Sequence, residues 1–201
     1  MEVFLMGTYT IVRKGADWNS VPAVKIDQWH QTEPMPVSAQ AQVCYDDTAL
    51  YVRLSAVESN IKADFTGLLD EVSDDSCLEF FFSPMNCDKR YFNIEINPNG
   101  AMYLGFGPNV DKLMRLIPEE PQICPKVTKT QFGWEVEYSI SYDFIRVFFP
   151  TFSPAPGYVM KGNFFKCAGA ANPPHFLCWQ PVVPQRCSFH NPDCFGTLIF
   201  E

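Results

Sequence analysis

Two short runs concentrate the side chains able to do chemistry. Asp74, Asp75 and Ser76 form a polar turn that leads into Cys77-Leu78-Glu79-Phe80-Phe81-Phe82, and Arg90 opens a second run, Tyr91-Phe92-Asn93-Ile94-Glu95-Ile96. In extended backbone, successive side chains point to opposite faces. Glu79 therefore faces away from Leu78 and Phe80, while Asn93 and Glu95 share the face opposite Phe92, Ile94 and Ile96. If these strands are neighbours, two carboxylates and an amide meet on one surface, with Arg90 at its edge. Such groups fix hydroxyls by hydrogen bonds, and a flat aromatic ring takes the C–H face of a pyranose. Trp18, Trp29, Trp134 and Trp179 are the rings to weigh. Trp134 alternates within a strand and reads as core. Trp179 ends a strand beside Gln180 and Pro181, where rim and core are both open. Trp18 and Trp29 lie in an irregular stretch, packed under a loop or offering a face. Lys166 and His190 add a cation and an imidazole; an exposed lysine and a loop hydrogen bond are the plainer alternatives.

The elements that must carry these groups are strands. Seventeen prolines and eleven glycines punctuate short runs rich in Val, Ile, Tyr and Phe, the pattern of many strands joined by turns. It predicts strands over 9–13, 41–45, 50–58, 77–83, 91–97, 101–106, 124–130, 134–139, 158–167, 176–179 and 197–200. One helix is expected over 142–149, capped by Ser141 and ended by Pro150. The fold class is all-β, an antiparallel two-sheet β-sandwich with one short helix plugging an end. The strand at 197–200 is expected to pair inside a sheet.

With 201 residues, 47% apolar and 15% aromatic, the chain has enough core for a single domain over 1–201. Fifteen Lys and Arg against 23 Asp and Glu give a net charge of −8 with no basic run, which argues against nucleic acid. No apolar stretch reaches membrane-spanning length, and the first residues do not read as a signal peptide. A soluble cytoplasmic protein is expected, or an extracellular one if a signal was removed. The eight cysteines sit mostly in apolar, strand-like runs, which favours buried reduced thiols over a disulfide framework.

The order of several blocks resembles the carbohydrate-binding modules of family 9 and family 9-like domains. The blocks are Tyr45-Asp46-Asp47-Thr48-Ala49-Leu50-Tyr51-Val52, the Asp75-Ser76-x-x-Glu79 strand, 91–100 with its Asn97-Pro98 turn, and Gly133-Trp134-Glu135. They continue through 161–167 and 177–181 to 188–200, which ends on Phe195-Gly196. The resemblance implies a β-sandwich that binds oligo- or polysaccharide without catalysis, with Glu79 on the sugar hydroxyls. It also implies calcium as the candidate ion, with Asp46-Asp47 and Asp74-Asp75 as oxygen donors; otherwise no cofactor is expected. Sugar-binding members carry an aromatic just ahead of the Asp-Ser pair, where this chain has Glu71, Val72 and Ser73. Phe65, Trp29 or Tyr91 replaces it, or the ligand differs, or the module serves as an accessory with no ligand of its own.

Rival chemistries have weaker signatures. His175-x-x-Cys178 and Cys187-x-x-His190 have zinc-ligand types, but residues three apart on a strand face opposite ways. Met85, Met102 and His175 permit the axial ligands of the related haem-binding sandwiches. There is no nucleophile elbow, phosphate loop or dinucleotide fingerprint, and Glu79 with Glu95 makes a glycosidase pair only at the right separation. No catalytic or metal residues are assigned. The predicted ligand face comprises Glu79, Arg90, Glu95, Lys166 and Trp179, with Trp29 and His190 at its rim.

Overall fold

The computed structural model describes residues 6–184 and 187–201. In chain order its strands are β1 (Thr8–Arg13), β2 (Ala23–Ile26), β3 (Gln28–Trp29), β4 (Ser38–Tyr45), β5 (Ala49–Val57), β6 (Cys77–Ser83) and β7 (Tyr91–Ile96). They continue with β8 (Met102–Gly107), β9 (Met114–Arg115), β10 (Lys126–Lys129), β11 (Gly133–Ser141), β12 (Val159–Ala168), β13 (His175–Cys178) and β14 (Gly196–Phe200). Among the described residues a single α-helix, α1 (Tyr142–Phe148), follows β11. Its start is set by Ser141, whose hydroxyl accepts from the Phe144 amide at 3.1 Å, and its rings Phe144 and Phe148 close over Phe92 and Phe106. The expected strands all form. The unexpected β2, β3 and β9 run two to four residues, too short to show a period.

The expected all-β class with one helix holds, but the antiparallel arrangement is corrected to a mixed one. Main-chain pairing runs β10-β11-β5-β4-β1-β14-β12-β6-β7-β8-β9 through one curled sheet. The exception to antiparallel pairing is β1, which lies parallel to β14 through Thr8 to Ile11 and parallel to β4 at Val12 and Arg13. By changing partner midway, β1 stitches the two halves together. β14 is paired on both sides, antiparallel to β12 and parallel to β1.

Between the halves lies one apolar core. Leu78, Phe80 and Phe82 from β6 and Ile94 and Ile96 from β7 meet Val52, Leu54, Trp134 and Val136, all buried. Phe80 stacks against both Phe82 and Phe164 with ring centroids 4.8 Å apart. The core is not wholly apolar. Glu58, just past β5, is 3% exposed and accepts from the Trp134 indole at 2.7 Å and from the Ser76 hydroxyl at 3.0 Å. Its second oxygen lies 3.1 Å from the Lys166 ammonium, which also donates to the Cys167 carbonyl at 2.8 Å and lies 3.0 Å from His175 Nε2. This network fastens β11 and the end of β5 in one half to β6, β12 and β13 in the other.

Burial alone would raise the Glu58 carboxyl, but His175, Lys166 and Trp134 outweigh it and hold the group near 2. A depressed carboxyl contributes stability that is present above its unfolded value and lost as pH falls through the folded one. The native state is therefore expected to weaken between about pH 4.5 and 2. Glu58→Ala, which strands a buried lysine, should lower the unfolding free energy by about 3–5 kcal/mol in urea titrations at pH 7. It should also flatten the loss of stability over that acid range.

Candidate functional site

The outer face of β6, β7 and β12, away from the core, is also covered. Cys77, Phe81, Tyr91, Phe165 and Cys167 form a second buried cluster with Val182, Phe189 and Phe195 from the C-terminal loop. Phe189 stacks on Phe165 at 4.2 Å and Phe195 stands edge-on to Tyr91 at 5.5 Å. Every residue of β6 and β7 is consequently buried.

A pocket of about 230 Å³ interrupts this cover. Phe81, Phe176 and Phe189 wall it, Glu79 and Glu95 line its base, and His30, His190, Ser73 and Ser188 border it. Glu79 and Glu95 stand directly opposite each other in the β6–β7 register, and they are 2% and 6% exposed. Among the described residues no cation hydrogen-bonds to either, and Glu79 Oε1 has no hydrogen-bond partner. Burial pushes both carboxyls up, Glu79 to about 7 and Glu95 well above the usual carboxylate range, where the charge of Glu79 adds to the effect. Two acids this close cannot both ionise cheaply, so near neutrality at least one of them keeps its proton.

The imidazoles are fixed by their partners. His30 Nε2 lies 2.8 Å from the Cys187 carbonyl, so that nitrogen carries the proton and leaves Nδ1 as a buried acceptor with no partner. His190 Nδ1 lies 2.9 Å from the Tyr91 hydroxyl, its ring is tilted against Phe81 at 5.1 Å, and burial holds it neutral, down to about 4.

Of the predicted ligand face, Glu79, Glu95 and His190 come together at this pocket. The other four residues lie elsewhere. Lys166 pairs in register with Leu78 and so faces the core, where Glu58 holds it. Arg90 bonds Asp88 at 2.6 Å and lies over the Phe149 ring, near the helix that closes the far end. Trp179 packs edge-on to Tyr9 and against Phe164. A Cβ on Gly196 would lie 2.6 Å from the Trp179 ring, so the glycine of the Phe195-Gly196 turn makes room for this packing. Trp29 pairs with Leu177 and lines a separate groove of about 480 Å³; its neighbour His30 borders the pocket instead. Trp134 is core, as expected. None of Phe65, Trp29 and Tyr91 lines the pocket, where Phe176 and Phe189 supply the rings and Ser73 occupies the place of the missing aromatic segment.

The rival ligand sets do not assemble. Asp46 accepts from the Thr48 amide and hydroxyl, the Ala49 amide and the Tyr51 hydroxyl. Asp75 accepts from Lys62, the Asp64 and Phe65 amides and Asn97. Internal donors, one of them cationic, therefore take oxygens of Asp46 and Asp75, two of the four acids expected to offer ligands to calcium. His175 faces Lys166 in the core, whereas Cys178 belongs to the outer cluster. Met102 on β8 is four strand spacings from His175 on β13, roughly 19 Å at about 4.8 Å each, and Met85 follows the opposite end of β6 from Cys77. No haem iron is reached by such a pair.

A carboxyl raised by folding contributes stability that is full below its unfolded value and lost as pH climbs through the folded one. For Glu79 that window runs from about pH 4.5 to 7. Glu95→Gln, which removes one member of the buried pair, should raise the thermal midpoint relative to the wild type at pH 8. The gain should shrink at pH 5, as followed by circular dichroism at the two pH values.

The comparisons with known proteins agree with this architecture. The model of carbohydrate-binding family 9 matches residues 11–200. A candidate carbohydrate-binding protein from Bacteroides uniformis superimposes with a TM-score of 0.82 at 24% identity, over 98% of this chain and all of its own. A family 9 carbohydrate-binding module from Caldicellulosiruptor kristjanssonii, solved with cellotriose, gives a TM-score of 0.72 at 14% identity over 97% of this chain and 94% of its own. The same organism's module with glucose gives 0.70 at 14% identity, over 97% and 96%. A search of curated protein sequences returns no match. The structural likenesses establish a shared fold, and the family match over nearly the whole chain shows that this protein belongs to carbohydrate-binding family 9.

Proposed function

We propose that this protein binds carbohydrate without hydrolysing it, and that one sugar unit, free or at the end of a chain, enters the pocket above Glu79 and Glu95. The observation that carries this reading is the pairing of aromatic walls with a buried carboxyl base in a pocket of about 230 Å³. That volume equals about seven or eight waters of liquid, the scale of a single ring. Phe81, Phe176 and Phe189 offer apolar faces to the ring's C–H groups, and a carboxyl pair that keeps a proton near neutrality can both accept from and donate to hydroxyls. Family membership supports the same reading, as do the glucose and cellotriose held by the modules of similar fold.

Binding without hydrolysis is supported by the placement of the carboxyls. They project side by side from neighbouring strands, whereas a glycosidase sets its acid and its nucleophile or base on either side of the scissile bond. Among the described residues no helix is long and apolar enough to cross a membrane.

Calorimetric titration with glucose, cellotriose and other soluble saccharides tests the reading. At least one should bind with a single site per chain, and none should be cleaved on prolonged incubation. Glu79→Ala should weaken that binding about tenfold or more, since a hydrogen bond to a charged group is worth about 1.5–3 kcal/mol. Arg90→Ala, on the far side of the sheet, should leave it unchanged. Full affinity in Glu79→Ala, or no binding by any saccharide, would overturn the assignment.

A further inference from the structure

The thiols beside the carboxyl pair have no part in holding a sugar. Cys77 Sγ and one carboxyl oxygen each from Glu79 and Glu95 lie within 4.8 Å of one another, all three residues buried. Cys167, across the register from Cys77, borders the same pocket. Two acids and a thiol out of water must be neutralised, either by the protons they retain or by a cation that displaces them. Lys166 on β12 faces the other way, and Arg115 is bonded to the carbonyls of Leu68, Leu69 and Asp70.

Two buried lone pairs point to a ligand by themselves. Glu79 Oε1 and His30 Nδ1 find no donor among the described residues, their side chains are 98% and 96% buried by relative exposure of 2% and 4%, and both residues line the pocket. A positive ion is the simplest species to meet a surplus of acceptors.

The ligand types select the ion. Calcium wants six to eight oxygens and magnesium an octahedron rich in water, whereas a thiolate with two carboxylates suits zinc. Tetrahedral zinc, with bonds of about 2.0 Å to oxygen and 2.3 Å to sulfur, separates two oxygens and one sulfur by about 3.3–3.5 Å. Atoms already within 4.8 Å reach that spacing by small side-chain rotations. The pocket, lined by Glu79 and Glu95, supplies the entry path.

We propose that Cys77, Glu79 and Glu95 form a zinc-binding site at the base of the pocket. The site does not rest on the carbohydrate reading, because its ligands and entry path come from the protein alone. Binding must displace the thiol proton and any proton kept by the carboxyls, so affinity falls as pH is lowered.

The test uses the full chain, stripped with chelator and titrated without saccharide. Zinc in calorimetry at pH 7.5 should bind at one ion per chain, more weakly at pH 6. Cobalt should produce a thiolate-to-metal charge-transfer band in the near ultraviolet. Cys77→Ser should abolish that band, Glu95→Gln should weaken zinc binding tenfold or more, and Cys87→Ser, at an exposed thiol, should change neither. The far-ultraviolet spectrum of each variant checks its fold, and Glu95→Gln keeps the test decisive if Cys77→Ser does not fold. No saturable zinc binding, a band that survives Cys77→Ser, undiminished affinity in Glu95→Gln, or preference for calcium over zinc would overturn the proposal. A failure here leaves saccharide binding standing when the saccharide titration, repeated with chelator present, still shows its single site.

Discussion

The buried pair of Glu58 and Lys166 is the interaction on which both the fold and the site depend. It ties the end of β5 to β12 across the core, with Trp134, Ser76 and His175 completing its hydrogen bonds. Buried ion pairs often add little stability over an apolar replacement of the same shape, yet losing one partner is severe because the other charge is left in the core. The pair also sets the electrostatics on the opposite side of the sheet. By drawing Lys166 inward, it leaves Glu79 and Glu95 without a bonded cation among the described residues. Had Lys166 faced outward, the outer pocket would hold an ordinary ion pair in place of two carboxyls of which at least one keeps its proton.

A second constraint is that the sheet around β6 is covered on both faces. The sandwich core buries one side and the C-terminal loop, through Phe189 and Phe195, buries the other. This cover also decides what was legible in the sequence. Where one face meets water, alternation identifies it, as in β5 and β11, whose outward residues Arg53, Glu135 and Glu137 pair with one another. Those strands and the capped helix could be read directly. In β12 the residues of one face are Phe164 and Lys166 and those of the other Asn163, Phe165 and Cys167, so neither reads as the wet side. Lysine was expected to seek solvent, and its true direction depends on a carboxylate more than a hundred residues away in sequence.

The site was legible where its chemistry is local to a strand pair and obscure where it comes from loops. Glu79 and Glu95 follow from parity within β6 and β7, and their register contact needs only that the two strands be neighbours. His190 follows from its block in the C-terminal loop. The pocket's rings, Phe176 and Phe189, carry no signal of their own in a chain with 18 phenylalanines, and His30 is placed by the two-residue β3, which has no periodicity to read. The parallel β1 was missed for a similar reason. Which strand a segment joins at each end is a long-range choice, and alternation within 9–13 reads the same in either direction.

The distribution of unpaired polar atoms links the two-sided burial to function. Most buried polar groups in a folded protein are hydrogen-bonded, and each one left unpaired costs about 1–3 kcal/mol. In this chain a few such atoms lie apart, such as the Tyr138 hydroxyl, but Glu79 Oε1, both amide atoms of Asn93 and His30 Nδ1 all belong to the covered outer face or the pocket's border. Among the described residues, the loop that seals β6 and β7 from water thereby denies these groups their solvent partners without supplying protein ones. That arrangement weakens the native state taken alone and favours any ligand whose hydroxyls or positive charge can reach them. The same covering segment that made the sheet's faces indistinguishable in sequence is thus what converts ordinary strand carboxylates into groups poised to hold a ligand.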